Sequence, residues 1–282
     1  MSTAAAAVTA RLRAAGCVFP EDEAALLLST ARTSAELTAM VERRADGHPL
    51  EHVLGWAEFS GLRIGVEPGV FVPRRRTEFL VRQALDARPE ATLVVDLCCG
   101  TGAVGAALAA GLGGEVALYA ADVDPAAVRC ARRNVEAYGG RVYEGDLFAP
   151  LPGELRGRIG ILAANVPYVP TGDVELLPAE ARIHEPLVAL DGGVDGLDVL
   201  RRVTAQARSW LAPGGCLLFE TSERQAAAAV EAVERGGLVP RVATSDEWYA
   251  TVVIGSRSAR SCGDTASGDP RSPTTSTSSA VV

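Results

Sequence analysis

The chain of 282 residues contains no lysine, and aromatic residues make up only 5% of it. Its 27 basic residues are all arginine, and the 35 acidic residues bring the formal net charge to -8. Nucleic-acid binding usually requires a basic domain or stripe, so we expect no stable nucleic-acid complex. No apolar run approaches the roughly 20 residues of a bilayer span. Because the first ten residues also lack the features of a secretory signal, we expect a cytoplasmic protein without membrane contact.

The six cysteines and three histidines show no spacing that is typical of a metal site. No CxxC pair occurs, so the sequence predicts neither a bound metal nor a disulfide framework. Hydrophobic residues account for 48% and charged residues for 22%, a composition typical of an α/β enzyme. At this length, roughly 75% of the surface of the unfolded chain can be buried without such staples.

The chain begins with a region that predicts a small helical domain over residues 1–48. Pro20 and the two acidic residues after it open one helical run, and Thr33 or Ser34 with Glu36 opens another. Residues 49–75 follow as a linker. Within it, apolar and polar residues alternate from Phe59 to Val72 around glycine and proline, which predicts a short β-hairpin.

Residues 76–255 alternate strand patterns with helix patterns. This alternation predicts an α/β domain with a mostly parallel, Rossmann-like sheet covered by helices on both faces, and a closing pair of strands fits an antiparallel edge. Residues 256–282 are rich in serine, threonine and glycine and predict a disordered tail. The predicted strands are 93–97, 116–121, 142–144, 159–164, 215–220 and 251–254, and the predicted helices are 103–110, 125–138, 196–211 and 223–235.

A glycine-rich turn follows the first predicted strand of this domain. It includes Asp96, Cys98, Gly100 and Gly102, and an alanine-rich helix comes directly after it. An open α/β sheet binds nucleotides at such a turn, where glycines let the ligand lie against the backbone. A purely structural turn is the simplest alternative. A dinucleotide-binding dehydrogenase is another, because Gly100, Gly102 and Gly105 formally match GxGxxG.

Three aspartates lie at or after the ends of the next two strands. Asp122 stands about 20 residues beyond the glycines, where a carboxylate can accept both hydroxyls of a ribose. Asp124 precedes Pro125 and is expected to cap a helix. Asp146 is a candidate partner for an adenine amino group, with a turn aspartate as the equal alternative.

Asn165-Val166-Pro167-Tyr168 ends the apolar strand 159–164. A carboxamide can accept one N–H of a planar nitrogen, and an adjacent backbone carbonyl can accept the other, while a tyrosine ring packs nearby. This geometry suits methyl transfer to nitrogen, whereas hydride transfer has no need of it.

Several separate segments together resemble the HemK/PrmC family of protein N(5)-glutamine methyltransferases, which are class I enzymes that use S-adenosylmethionine. The likeness covers most of residues 1–255. In the family the tetrapeptide is usually NPPY and the glycine turn DLGTGSG, so Val166 and Cys98 are departures. The segments are PLEHVLG at 49–55, EFSG at 58–61, PRRRTE at 73–78, NVPY at 165–168, and EPLVAL at 185–190 with the glycines up to DGL at 195–197.

The resemblance implies roles for individual residues. Asn165 and the carbonyl of Val166 would accept hydrogen bonds from a glutamine amide of a peptide chain release factor, Pro167 would shape the loop, and Tyr168 would pack beside the substrate. The residues expected to bind S-adenosylmethionine are the predicted nucleotide-binding residues Asp96, Cys98, Gly100, Gly102, Asp122 and Asp146, together with Asn165.

Two other functions stay open at this point. A DNA or RNA adenine-N6 methyltransferase also holds an amino nitrogen in a loop of this type, although it would need a basic groove and a pocket for a flipped base. A non-catalytic relative that only binds S-adenosylmethionine is suggested by Val166 and Cys98. The arginine run 74–76 is expected to be a solvated face, and the three histidines are expected to be structural.

Overall fold

The computed structural model describes residues 3–259. Most of the predicted tail, from residue 260 to 282, lies outside the described residues, and its first residue, Ser256, still belongs to the last strand. Within the described range, every helix is too short or too polar to cross a lipid bilayer.

Four helices form the N-terminal unit, and the predicted starts of two of them are observed. Pro20 is the first residue of its helix, and the Thr33 hydroxyl caps the next by accepting a hydrogen bond from the N–H of Glu36 at 3.1 Å. Leu12 and Leu27 are fully buried in the core between these helices. The helices are α1 (Thr3–Ala14), α2 (Pro20–Thr30), α3 (Ser34–Ala45) and α4 (Leu50–Leu54).

The hairpin lies earlier in the chain than the sequence predicted. Strands β1 (Trp56–Phe59) and β2 (Leu62–Gly65) pair antiparallel around Ser60 and Gly61, whose φ angles of 50° and 74° belong to a tight two-residue turn. The prediction of a hairpin from Phe59 to Val72 is therefore wrong in its position. The apolar residues of 66–72 alternate because they are buried against neighbouring elements, without a strand partner.

A seven-stranded sheet forms the larger domain, in the order β5-β4-β3-β6-β7-β9-β8. All neighbours are parallel except β9, which runs antiparallel between β7 and β8, so the predicted antiparallel edge is confirmed. The strands are β3 (Leu93–Leu97), β4 (Ala117–Asp122), β5 (Arg141–Glu144), β6 (Ile159–Ala164), β7 (Leu211–Thr221), β8 (Val239–Ser245) and β9 (Ala250–Ser256).

Helices cover both faces of this sheet, and each face has its own apolar cluster. The strand order reverses between β3 and β6, because β4 and β5 lie on one side of β3 and the later strands on the other. Ligands of open α/β sheets bind at the carboxyl ends of the strands beside such a reversal. The helices are α5 (Glu78–Ala87), α6 (Ala103–Leu112), α7 (Pro125–Val135), α8 (Ala179–His184), α9 (Asp198–Trp210) and α10 (Ala226–Arg235).

Candidate active site

A cavity of about 430 Å³ opens at this strand-order reversal. Small-molecule sites typically measure about 300 to 1,000 Å³, so the cavity can hold a compact cofactor and a reacting side chain. The loops after β3, β4 and β6 all contribute to its wall. The predicted site residues that line it are Cys98, Gly100, Asp122, Asn165, Val166, Pro167 and Tyr168.

The glycine turn after β3 presents two of its residues to the cavity. Cys98 and Gly100 both have a φ of 53°, a left-handed conformation that costs a residue with a side chain more than it costs glycine. A Cβ atom added to Gly100 would meet no atom within 4 Å, so this part of the backbone borders open space. Gly102 is not at the cavity wall. A Cβ atom there would approach Ala131 and Val135 of α7 to 3.1 Å, so this glycine serves helix packing.

Asp122 at the end of β4 faces the cavity and stabilises the turn. Its two carboxylate oxygens accept hydrogen bonds from the N–H groups of Gly100 at 2.8 Å and Asp124 at 2.9 Å. Burial raises the pKa of Asp122. Asp124 accepts the N–H of Ala126 at 2.8 Å, which confirms the predicted cap of α7.

Two of the predicted cofactor residues are directed elsewhere. Asp96 is fully buried, and one of its oxygens accepts the N–H of Gly105 at 2.8 Å while the other has no hydrogen-bond partner. Burial raises the pKa of Asp96 to about 7. Asp146 forms an ion pair with Arg202 on α9. Neither aspartate lines the cavity.

The carboxamide of Asn165 is free for a ligand. The backbone N–H of Asn165 donates to the carbonyl of Leu97 at 3.2 Å, which ties the loop to the neighbouring strand. Its side chain makes no hydrogen bond to any residue of the range 3–259, although it lines the cavity. The chain's other asparagine, Asn134, is fully engaged, because its side chain bonds the backbone of Gly65 and Thr101. Of the two asparagines, Asn165 is thus the one whose carboxamide is available for recognition.

The backbone of segment 185–197 packs against the Asn165–Tyr168 loop and forms hydrogen bonds with Val169, the residue that follows the loop. Val169 donates its N–H to Leu190 at 3.1 Å, and Gly192 donates its own to Val169 at 2.8 Å. A Cβ atom added to Gly192 would lie 2.6 Å from the carbonyl oxygen of Pro167, and one added to Gly196 would lie 2.3 Å from that of Tyr168. These glycines are required because the two backbones approach so closely.

The arginine run 74–76 keeps Arg75 and Arg76 exposed, as predicted for a solvated face, but two of its members also pair with buried glutamates. Arg74 donates to both oxygens of buried Glu185, at 2.7 and 2.6 Å, and Arg76 donates its Nε to buried Glu220 at 2.6 Å. Both arginines line the cavity. Sequence reasoning missed both pairings because the partners lie 111 and 144 residues apart along the chain.

The histidines lie outside the cavity wall. His52 is buried and its Nε2 is 2.8 Å from the carbonyl oxygen of Val70. The rings of His48 and His184 stack with their centroids 4.4 Å apart, which joins the N-terminal unit to α8. Both arrangements support the predicted structural roles. Within residues 3–259, His, Cys, Asp and Glu side chains form no group of three that could hold a metal ion.

The fold and the placement of the cavity define a class I methyltransferase that uses S-adenosylmethionine. The methyltransferase small domain family matches residues 61–175. A methyltransferase of Pyrococcus furiosus superimposes with a TM-score of 0.51 over 70% of this chain and 90% of its own, at 16% identity. A 16S rRNA methyltransferase of T. thermophilus, solved with AdoMet and guanosine, gives the same TM-score of 0.51 at 19% identity, over 72% of this chain and 49% of its own.

Curated relatives of similar sequence identify the family within this class of methyltransferases. The release factor glutamine methyltransferase of Geobacter sulfurreducens is 38% identical, over 79% of this chain and 78% of its own. That of Mycolicibacterium smegmatis is 37% identical, over 84% and 90%. The chain belongs to the family of release factor glutamine methyltransferases. A relative of a different name, the 4-amino-L-phenylalanine/4-methylamino-L-phenylalanine methyltransferase of Streptomyces pristinaespiralis, is 39% identical over 66% of this chain and 65% of its own.

Proposed function

We propose that this protein transfers a methyl group from S-adenosylmethionine to the side-chain amide nitrogen of a glutamine in a peptide chain release factor. One observation carries the proposal: Asn165 places an unengaged carboxamide on the wall of the cavity that Gly100 and Asp122 also line. A ligand amide offers two N–H donors, which match the side-chain oxygen of Asn165 and the backbone carbonyl of Val166.

The residues present fit the cofactor. Each oxygen of Asp122 accepts one backbone N–H and keeps a second lone pair, so the carboxylate can also accept the ribose hydroxyls. The backbone of Gly100 borders open space, so a ligand can lie against it. When bound, S-adenosylmethionine supplies an electrophilic methyl group on a sulfonium ion. Cys98, Gly100 and Asp122 are the residues that we expect to contact it.

Orientation is the main catalytic task of the chain. An amide nitrogen is a weak nucleophile because its lone pair is delocalised, so it must be held in line with the reacting carbon and away from water. Asn165 and Val166 would fix the plane of the amide, and Tyr168 would close one side of the cavity. None of the three histidines lines the cavity, so we assign no histidine as a base that removes the amide proton.

Among the described residues, the cations around the cavity offer no free partner for the carboxylate of a free amino acid. Arg74 and Arg76 are the two cations among its described lining residues, and each is already paired with a buried glutamate. The carboxylate of a free amino acid would therefore find no unpaired cation there. The relative from Streptomyces pristinaespiralis still makes an amino-acid amine the second candidate, which needs its own assay.

Other features of the proposal follow from the substrate. The formal charge of -8 gives no support to a stable nucleic-acid complex, so we assign the protein neither DNA nor RNA as its acceptor. Release factors work in the cytoplasm, and we place the reaction there. We assign substrate recognition to the N-terminal helical unit, because Arg44 of α3 reaches Glu180 at the cavity rim at 3.5 Å.

The deciding experiment supplies labelled S-adenosylmethionine to the protein together with release factor, 4-amino-L-phenylalanine or nucleic acid. Label on a release-factor glutamine, located by mass spectrometry, is the expected result. It should disappear with Asn165→Ala and persist with Gln206→Ala, an exposed control whose side chain lies away from this cavity. Label that enters only the free amino acid or only the nucleic acid would reject the proposal. Cofactor binding without any transfer would favour the non-catalytic alternative.

A further inference from the structure

A buried carboxylate lies behind the active-site wall and lines a neighbouring cavity instead of the active site itself. Glu220, at the end of β7, is only 4% exposed. It accepts hydrogen bonds from the Nε of Arg76 at 2.6 Å, the hydroxyl of Thr77 at 2.8 Å and the phenol of Tyr168 at 2.8 Å. Three segments that are distant in sequence therefore meet at one side chain.

Tyr168 forms a partition between two cavities. It lines the 430 Å³ cavity and also a neighbouring cavity of about 730 Å³, and Arg76 lines both as well. Arg76 donates a second hydrogen bond to the phenol oxygen, and its guanidinium carbon lies 5.9 Å from the centre of the ring. The side chain of Gln225 donates to the backbone carbonyl of Tyr168 at 2.9 Å. The ring and the backbone of this residue are thus both anchored.

We infer that Arg76 and Glu220 are positioning residues, which hold the Tyr168 ring as the wall between the cavities so that a substrate amide is held against Asn165. This inference rests on the proposed function. Glu220 is buried at a desolvation cost, whereas the side chain of Arg76 keeps 45% of its surface exposed, so the pair adds little stability. Its contribution is the geometry of the site. The planar guanidinium can donate to Glu220 and to Tyr168 at once, whereas an ammonium group lacks this fixed fork.

The test compares Arg76→Gln, Tyr168→Phe and the double variant. Each single change should lower kcat by about tenfold or more, because a misplaced wall loosens the reacting geometry. The Kd for S-adenosylmethionine should change by less than about twofold, since neither side chain belongs to the expected cofactor contacts. The double variant should be no slower than the slower single variant, because both changes break one interaction. Arg76→Lys should fail to restore kcat fully.

Arg235→Gln is the matched control, since Arg235 of α10 makes an exposed ion pair with Glu231 at 3.4 Å and lines neither cavity. It should leave kcat unchanged. Tyr168→Phe retains the Arg76 and Glu220 ion pair, so it tests the inference even if Arg76→Gln unfolds. Additive losses in the double variant, unchanged kcat in Tyr168→Phe, or a loss of cofactor affinity as large as the loss of kcat would each overturn the inference.

Hydrogen exchange supplies a readout that needs no methyl acceptor. Arg76→Gln should speed deuterium uptake by backbone amides of residues 164–170, and Arg235→Gln should not. If the wild type methylates no release factor, the proposed function fails while this measurement still decides the positioning role. Equal uptake in the wild type and Arg76→Gln would reject the positioning role even where methylation occurs.

Discussion

Replacing Asp96 by asparagine should change how the stability of the protein depends on pH. The carboxyl group of Asp96 is fully buried, accepts one hydrogen bond from Gly105, and leaves its other oxygen without a partner. Burial disfavours the charged form, so its pKa rises from the ordinary 3.8 to about 7 in the folded protein. Between these two values the unfolded chain carries an ionised carboxylate while the folded protein keeps the proton.

The direction and size of the effect follow from linkage. The folded state binds more protons than the unfolded state in this window, so the contribution of Asp96 to stability falls as pH rises from 3.8 to about 7 and then stays constant. A difference of about three pKa units corresponds to a penalty of up to about 4 kcal/mol above neutral pH. The amide introduced by Asp96→Asn carries no charge at any of these pH values, so the variant escapes this pH-dependent penalty.

Urea unfolding of the wild type and Asp96→Asn over pH 4 to 9 measures this contribution. The free energy of unfolding of the variant minus that of the wild type should increase from pH 4 to pH 7 and level off above pH 8. Other titrating groups largely cancel in this difference, and the new amide adds a constant offset that leaves its pH dependence unchanged. A difference that stays flat from pH 5 to pH 8 would refute the assignment of a buried, proton-retaining Asp96.

Three further changes test other parts of the site. Asp122→Asn should weaken binding of S-adenosylmethionine by about tenfold or more in calorimetry, because hydrogen bonds to a charged acceptor contribute about 1.5 to 3 kcal/mol. Unchanged affinity would contradict the role of Asp122 at the ribose. Val166→Pro should keep kcat within about threefold, because the N–H of Val166 has no partner in the range 3–259 and proline retains the backbone carbonyl at this position. A large loss of turnover would show that the N–H is needed. Burial and the neighbouring His48 lower the pKa of His184, so the folded protein binds this proton less readily than the unfolded chain and loses stability as the pH falls. His184→Asn should therefore reduce the drop in melting temperature between pH 7 and pH 5, and an equal drop in both proteins would contradict this.

The parts of the fold that sequence reasoning predicted correctly are those in which a local pattern has a single meaning. Strand 159–164 is a continuous apolar run and strand 93–97 is apolar except for Asp96; a loop follows each, and both form as predicted. Because β3, β4 and β6 are parallel neighbours, their ends bring Gly100, Asp122 and Asn165 to one cavity. The site core thus follows from strand ends alone.

The direction of a side chain is a different matter, since it depends on the facing element. Asp96 and Asp146 both lie near strand ends, yet one is turned beneath the glycine turn and the other toward Arg202 of α9. Apolar alternation in 66–72 gave the same signal as a strand although it reports only burial. The hairpin position and these two aspartates therefore required the three-dimensional arrangement.

The active site divides its two tasks between two kinds of structure. Backbone turns and one carboxylate at the strand ends face the expected cofactor, and these are encoded within a few residues of each strand. On the proposed acceptor side, the side chains of Arg76, Glu220 and Tyr168 meet only after the sheet has formed. Removing one partner would leave the buried carboxylate of Glu220 unpaired, so such a network tolerates change only when its partners change together. Val166 has no place in that network, and the departure from NPPY leaves both the carboxamide and the carbonyl acceptor in position. We therefore expect turnover to be more sensitive to changes at Arg76 and Tyr168 than to the residue at position 166.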